Sequence, residues 1–469
     1  MGKPFFSRCC GILLGSVLIV LLGCSNWPHD AQMLHADYDK YAPNFPESDL
    51  APSVASDGLS NWLVAWQGNS RAQQTGGANC PTGAVKFDVI YTTRSTDGGK
   101  TWSSPKCLDT GDGNGSPAVA TDGKGNWLVV WSASGGMTGK DGDIFAALST
   151  NKSWSLPSPK HPWGFVQSIN TNAMGDQGYD LVPRVVWNGK DKWVAVWMSD
   201  EPMGTPDVGT DKDIFFSTSS DGKTWSPTKV LNSNATTDTG NDMSPSIASD
   251  GNGNLVVVWQ SNDPLGTQNL GTDYDLLISR SSDGLSWSPP EPLNLNAATD
   301  QGNDVNPDIA YGAGRWNVVW ESDSDLGGTL GTDLDILVSY GTGNGKNWHA
   351  PEALINYMKK DKASDMGPRI AYGAGVWHVV WYSDEPLSSA SSPAGNDNDI
   401  FMAQSINGGT SWSFNGVIHS FGLKDVANDY SPSIATDGKK KWLVVWSSDY
   451  PGESGSHWGL DFDILFVTF

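Results

Sequence analysis

The sequence predicts an all-β fold, a closed ring of seven four-stranded antiparallel blades, on three observations. The chain has 469 residues with 54 Gly, 27 Pro and 23 Trp and only 17% charged residues, which favours many short strands joined by turns over a helical bundle or a disordered chain. The pattern Pro-x-(Ile/Val)-(Ala/Val) recurs at Pro52, Pro117, Pro183, Pro245, Pro307, Pro368 and Pro432, at intervals of 61 to 66 residues. Each unit then repeats the same order of apolar runs and Gly-rich turns. A length that would otherwise suggest about three domains therefore reads as one ring.

Residues 1–23 read as a signal peptide. Lys3 and Arg8 make a basic start and residues 9–22 an apolar stretch, shorter than the roughly 20 apolar residues of a membrane span. Leu21-Leu22-Gly23-Cys24 resembles the bacterial lipobox. The resemblance implies cleavage before Cys24, a diacylglyceryl thioether on its sulfur, and a lipid-anchored protein of the cell envelope. Ser25, not Asp, follows the cysteine; by resemblance to Gram-negative lipoproteins this places it at the outer membrane, and otherwise at the outer face of the cytoplasmic membrane. Residues 24–26 are a short tether. Among the cysteines left after cleavage, Cys80 and Cys107 are expected to pair in an exported protein, with two buried free thiols as the alternative.

Residues 27–469 are expected to form the ring. In the fourth unit, Pro245-Ser246-Ile247-Ala248-Ser249 is a first strand (A), Asp250-Gly251-Asn252-Gly253 a tight turn, and Leu255 to Trp259 a second strand (B). A long loop leads to Asp273 to Ser279, the third strand (C), and after another turn Trp287-Ser288-Pro289-Pro290 opens the fourth (D). Such a unit, repeated, is a propeller blade. The seventh unit ends at Phe469 without a D strand, so residues 27–34 are expected to supply it and close the ring. A closed ring has no free edge to pair with another chain, and the expected state is a monomer.

Ser95-Thr96-Asp97-Gly98-Gly99-Lys100-Thr101-Trp102 resembles the Asp-box, or BNR, repeat of the sialidase-like β-propellers, and looser copies end at Trp154, Trp225, Trp287, Trp348 and Trp412. As chemistry the box is a turn: Asp accepts backbone N–H bonds, Gly supplies positive φ, and Trp covers the sheet edge. The tryptophans follow the same logic. Trp62, Trp127, Trp193, Trp316, Trp377 and Trp442 share one repeat position and Trp66, Trp131, Trp197, Trp259, Trp320, Trp381 and Trp446 another, on one strand face where packed blades bury them. Trp27 fits the closing strand; Trp163, Trp187 and Trp458 are left for other uses.

The D-to-A and B-to-C loops share one rim, the face where function usually sits on such scaffolds. That rim repeats its acids. Five D-to-A loops carry Asp-x-x-x-Asp, among them Asp238/Asp242 and Asp300/Asp304, and six B-to-C loops end in Asp-x-Asp, among them 211/213 and 273/275. Oxygen ligands gathered from several loops suit Ca²⁺, which makes Asp238, Asp242, Asp300 and Asp304 the candidate metal ligands. Asp capping its own loop backbone is the competing explanation. No other cofactor is required.

The breaks in the repeat point to a site. After the strand-A proline stand Arg184, Asp308 and Arg369 where other units have Ser or Ala, and after a strand-B tryptophan stand Glu321 and Tyr382. All five are expected at the channel mouth. Sialidases hold a carboxylate with three Arg and use a Tyr/Glu pair and an Asp; the resemblance assigns Arg71, Arg184 and Arg369 to ligand binding and Asp308, Glu321 and Tyr382 to catalysis. The family's Phe/Tyr-Arg-Ile-Pro motif is absent, since Pro368-Arg369-Ile370-Ala371 has its proline on the other side. A net charge of −23, with 29 Lys+Arg against 52 Asp+Glu, excludes a nucleic-acid partner. The expectation is a binding or scaffolding module for an envelope glycan or protein. An exo-sialidase or other glycoside hydrolase is the alternative.

Overall fold

The computed structural model describes residues 30–34, 48–70, 86–108, 112–134, 141–150, 165–175, 177–203, 207–359, 362–386, 388–389, 392–393, 397–419, 427–450 and 462–469. Their strands form seven antiparallel sheets of at least four strands, one per repeat unit. The A strands, Asp49–Ser56, Asp112–Thr121, Asp180–Trp187, Asp242–Ser249, Asp304–Gly312, Asp365–Gly373 and Asp429–Thr436, define blades 1 to 7. Each contacts the A strand of the next blade, and blade 7 contacts blade 1. The chain is a seven-bladed β-propeller with its A strands innermost.

The ring closes as the sequence suggests. Gln32–Met33 pairs with Asp463–Thr468, the C strand of blade 7, with Gln32 opposite Phe466 and Met33 opposite Leu465, and the Leu34 N–H donates to the Ile464 carbonyl at 2.9 Å. Of the expected closing segment 27–34, residues 30–34 are described and pair as expected; residues 1–29, with Cys24 and Trp27, lie outside the described residues. Among the described residues no helix is long and apolar enough to cross a membrane.

Every repeated proline marks a bulge. The residue before it has φ between 50° and 62° in all seven blades: Ala51, Ser116, Val182, Ser244, Asn306, Gly367 and Ser431. The A–B register slips at the same point in each. Proline has no N–H for the ladder and disfavours the right-handed region for its predecessor, so one residue is looped out. The side chain after the proline then faces the channel.

The strand-B tryptophans are all buried. Trp102, Trp225, Trp287, Trp348 and Trp412 are half-buried over the blade edges, and the turns before Trp102, Trp225, Trp287 and Trp412 are hydrogen-bonded as expected. Asp97 Oδ1 accepts from Lys100 N–H and Thr101 N–H, both at 3.0 Å, and from Ser95 Oγ at 2.7 Å. These bonds, led by that with the Thr101 hydroxyl, hold its carboxyl below the usual range. Trp187 packs edge-on against Trp193 at 5.2 Å and needs no ligand to explain it; Trp163 and Trp458 lie outside the described residues.

Candidate functional site

The bulged A strands surround a central cavity of about 280 Å³. Its wall is a ring of residues flanking the repeated prolines: hydroxyls from Ser53, Ser116, Ser246, Ser431 and Ser433, and the charges of Arg184, Asp308 and Arg369. Hydroxyls and carboxylate also stitch the blades. Ser433 Oγ accepts the Val54 N–H at 3.3 Å, Ser53 Oγ the Val119 N–H at 3.1 Å, and Asp308 Oδ2 the Ile370 N–H at 2.9 Å. Each bond joins one blade to the next.

Arg184 and Arg369 bend back on their own strands. Arg184 Nη1 donates to the Pro183 carbonyl at 3.1 Å and Arg369 Nη1 to the Pro368 carbonyl at 2.8 Å. Neither forms an ion pair with a carboxylate among the described residues. Burial first, and the like charge of Arg369 second, lower Arg184 to about 10 against the opposing pull of Asp308. Two guanidiniums therefore share one cavity with most of their donors uncommitted. An oxyanion placed between them relieves that repulsion and accepts paired N–H bonds.

Of the three residues assigned to catalysis, Glu321 and Tyr382 lie together and Asp308 stands on the cavity wall. Asp308 lines the cavity, but both its oxygens are engaged: Oδ1 takes the Ser246 hydroxyl at 2.9 Å and Oδ2 the Ile370 N–H. Glu321, only 5% exposed, is not part of the cavity wall. It sits between blades 5 and 6, where Oε1 accepts the Gly367 N–H at 2.6 Å and Oε2 accepts Asn306 Nδ2 at 3.0 Å. Burial raises its carboxyl, opposed by those bonds and by Arg369. Tyr382 lies beside it, its ring edge-on to Tyr430 at 5.3 Å, and burial followed by the charge of Glu321 raises its phenol. Of the five repeat-breaking residues, Arg184, Asp308 and Arg369 line the cavity, and Glu321 and Tyr382 lie together at the junction of blades 5 and 6, within reach of the Arg369 charge. Strand alternation gave the face of Glu321 but not the Gly367 N–H that holds it there. Arg71 and Cys80 lie outside the described residues; Cys107 is disulfide-bonded.

The repeated acids divide into two sets. One set is buried at the strand starts and clasped by an amide that sequence reasoning missed. Asn232 Nδ2 donates to Asp213 at 2.6 Å and to Asp242 at 2.7 Å, while its Oδ1 accepts the Ile214 N–H at 3.0 Å. Asn170 bridges Asp143 and Asp180, and Asn294 bridges Asp275 and Asp304, in the same way. At the junction of blades 6 and 7, His419 replaces the amide, its Nε2 lying 2.6 Å from Asp429. Asp304 is filled on its other oxygen by Trp320 Nε1 at 2.8 Å. The clasp gives Asp242 and Asp304, two of the expected metal ligands, a structural partner each. The other set, Asp211, Asp238, Asp273 and Asp300, is half-buried on the rim.

No family model matches the chain, and no curated protein matches it. Solved structures do. The chain is similar to the α-L-arabinanase of Penicillium chrysogenum, in complex with arabinobiose, at 16% identity and a TM-score of 0.45, over 93% of this chain and 97% of that one. It is also similar to the endosialidase of phage phi92, at 10% identity, a TM-score of 0.45, and 91% and 67% coverage. The Trypanosoma rangeli sialidase in complex with sialic acid matches at 12% identity, a TM-score of 0.41, and 90% and 54% coverage. The blade count rests on the strand pairing above, and fold does not fix function.

Proposed function

We propose that this propeller is a binding module of the cell envelope that receives an acidic sugar in its central cavity, the carboxylate lying between Arg184 and Arg369. One observation carries the reading: two guanidiniums face one cavity of about 280 Å³ without a carboxylate partner among the described residues. That volume suits one sugar ring rather than a protein surface. The serine hydroxyls supply the donors and acceptors that sugar hydroxyls need.

Most glycoside hydrolases use two carboxyl groups facing the same bond, and sialidases a Tyr/Glu pair with an Asp. Both oxygens of Asp308 are tied to Ser246 and Ile370, and both oxygens of Glu321 to Gly367 and Asn306, which favours binding over turnover. A glycan array and a fluorogenic-glycoside screen of the purified protein, beside Arg369→Ala, test this: retention of acidic glycans, lost in the variant, supports it, and turnover abolished by the variant contradicts it. The proposal includes lipid attachment at Cys24, supported by the Leu21-Leu22-Gly23-Cys24 motif. Fatty-acid labelling that persists in Cys24→Ser overturns that part.

A further inference from the structure

Asp211 and Asp213 end the long B-to-C link of blade 3, and Asp238 lies in the link from blade 3 to blade 4. An oxygen from each of the three lies within 4.8 Å of the others. Asp213 is fully buried, 0% exposed, and while its Oδ1 takes the Asn232 amide, its Oδ2 accepts no hydrogen bond. The same holds for Asp211 Oδ2, Asp238 Oδ1 and the carbonyl oxygen of Asn234. Asn234 is oriented by its own amide nitrogen, which donates to Asp238 and, at 2.6 Å, to Asp263. Buried carboxylate oxygens without donors are costly, and several facing one another are more so.

One blade further on the arrangement returns. Asp273, Asp275 and Asp300 bring their oxygens within 4.8 Å of one another. Asp273 Oδ2, Asp300 Oδ1 and the Asn296 carbonyl oxygen are again buried without a donor, and Asn296 again holds the rim acid, here Asp300, through its amide nitrogen. Two stretches of chain thus repeat the same cluster of carboxylates, each with an adjoining Asn whose carbonyl oxygen lacks a donor. Asp141 Oδ2 and Asn172 Oδ1 are left in the same state between blades 2 and 3.

We propose that each of these pockets binds a calcium ion, one through Asp211, Asp213, Asp238 and the carbonyl of Asn234, the other through Asp273, Asp275, Asp300 and the carbonyl of Asn296. The donors are all oxygens, as a hard cation requires, and a set of protein carboxylates with an amide carbonyl suits Ca²⁺ better than Mg²⁺, which keeps most of its waters. A bound cation neutralises carboxylates that otherwise face one another in a buried site. It also links the C strand of one blade to the segment entering the next, so the site is a staple between blades, independent of the central cavity and of what that cavity binds.

The full-length protein, stripped with EGTA, is titrated calorimetrically with CaCl₂ and separately with MgCl₂, with thermal melts of each form. Saturable Ca²⁺ binding of at least two equivalents, tighter than Mg²⁺ and accompanied by a higher melting temperature, is expected. Asp238→Asn and Asp300→Asn should each remove one equivalent and the double variant both; Asp211→Asn and Asp273→Asn attack the same pockets from the other side and serve if a loop variant fails to fold. Absence of Ca²⁺ heat together with an unchanged melting temperature overturns the proposal. So does a double variant that keeps the wild-type stoichiometry.

Discussion

Asp308 Oδ2 in blade 5 accepts the Ile370 N–H of blade 6 at 2.9 Å. A residue that sequence resemblance casts as an acid catalyst is therefore an inter-blade tie. Asp308→Ala is expected to lower stability by about 2 kcal/mol, because the buried Ile370 N–H and the Ser246 hydroxyl both lose their acceptor. Asp308→Asn, which keeps an acceptor, should lose less. Denaturant unfolding of the three proteins measures the order; equal stabilities would remove the tie from the account.

The clasp residue Asn232 serves two carboxylates and one backbone N–H. Asn232→Leu has a similar volume but no polar atoms, and is expected to cost about 3 kcal/mol by stranding those groups in a buried site. Asn232→His should recover part of that loss, since His419 occupies the equivalent place three blades on with Nε2 against Asp429. Thermal melts of both variants decide it, and a His variant no better than Leu would contradict the equivalence.

Val182 is the one β-branched residue among the seven that precede the repeated prolines at positive φ, at 53°. A β carbon there crowds the following carbonyl, a cost of roughly 1–2 kcal/mol. Val182→Gly is expected to leave the fold intact and raise stability by about 1 kcal/mol, the gain being reduced by glycine's larger unfolded-state entropy. A lower denaturation midpoint in the variant would show that side-chain packing outweighs the strain.

His378 is buried against the edges of Trp442 and Phe469, 4.4 and 5.5 Å away, and burial lowers its pKa from 6.5 to about 4. The folded state thus binds its proton less readily than the unfolded one. Stability from the neutral imidazole is full above pH 6.5 and is lost as pH falls toward 4, by up to about 3 kcal/mol. The other strand-B tryptophans at this repeat position are followed by Leu63, Leu128, Val194, Asn317 and Leu443, so His378→Leu matches the repeat. Melting temperature against pH should fall less steeply between 6.5 and 4 in the variant; parallel curves would assign the slope to other groups.

The ring was legible because its marks are periodic. Pro52 and its six counterparts, and the paired tryptophans, recur within a few residues of a fixed interval, and burial of one strand face follows from alternation alone. What the proline does was not legible, since the positive φ of Ala51 or Val182 leaves no consistent residue type behind. The clasps left a faint mark: Asn170, Asn232, Asn294 and His419 each stand ten residues before the first residue of an A strand. That spacing is visible only once the strand starts are known. For the site, the substitutions at Arg184, Asp308 and Arg369 identified the channel wall. For Glu321 a strand period gives the face the side chain takes, not the Gly367 N–H on the adjoining blade that holds it.

Binding of a sugar acid by the channel arginines is the central claim, and a calorimetric titration of the purified protein with glucuronate, beside glucose, meets it most directly. Glucuronate is expected to bind at one site per chain and glucose far more weakly, with Arg184→Ala and Arg369→Ala each weakening glucuronate at least about tenfold, the equivalent of about 1.4 kcal/mol. Equal binding of the two sugars, or glucuronate binding unaltered in both variants, would contradict the claim.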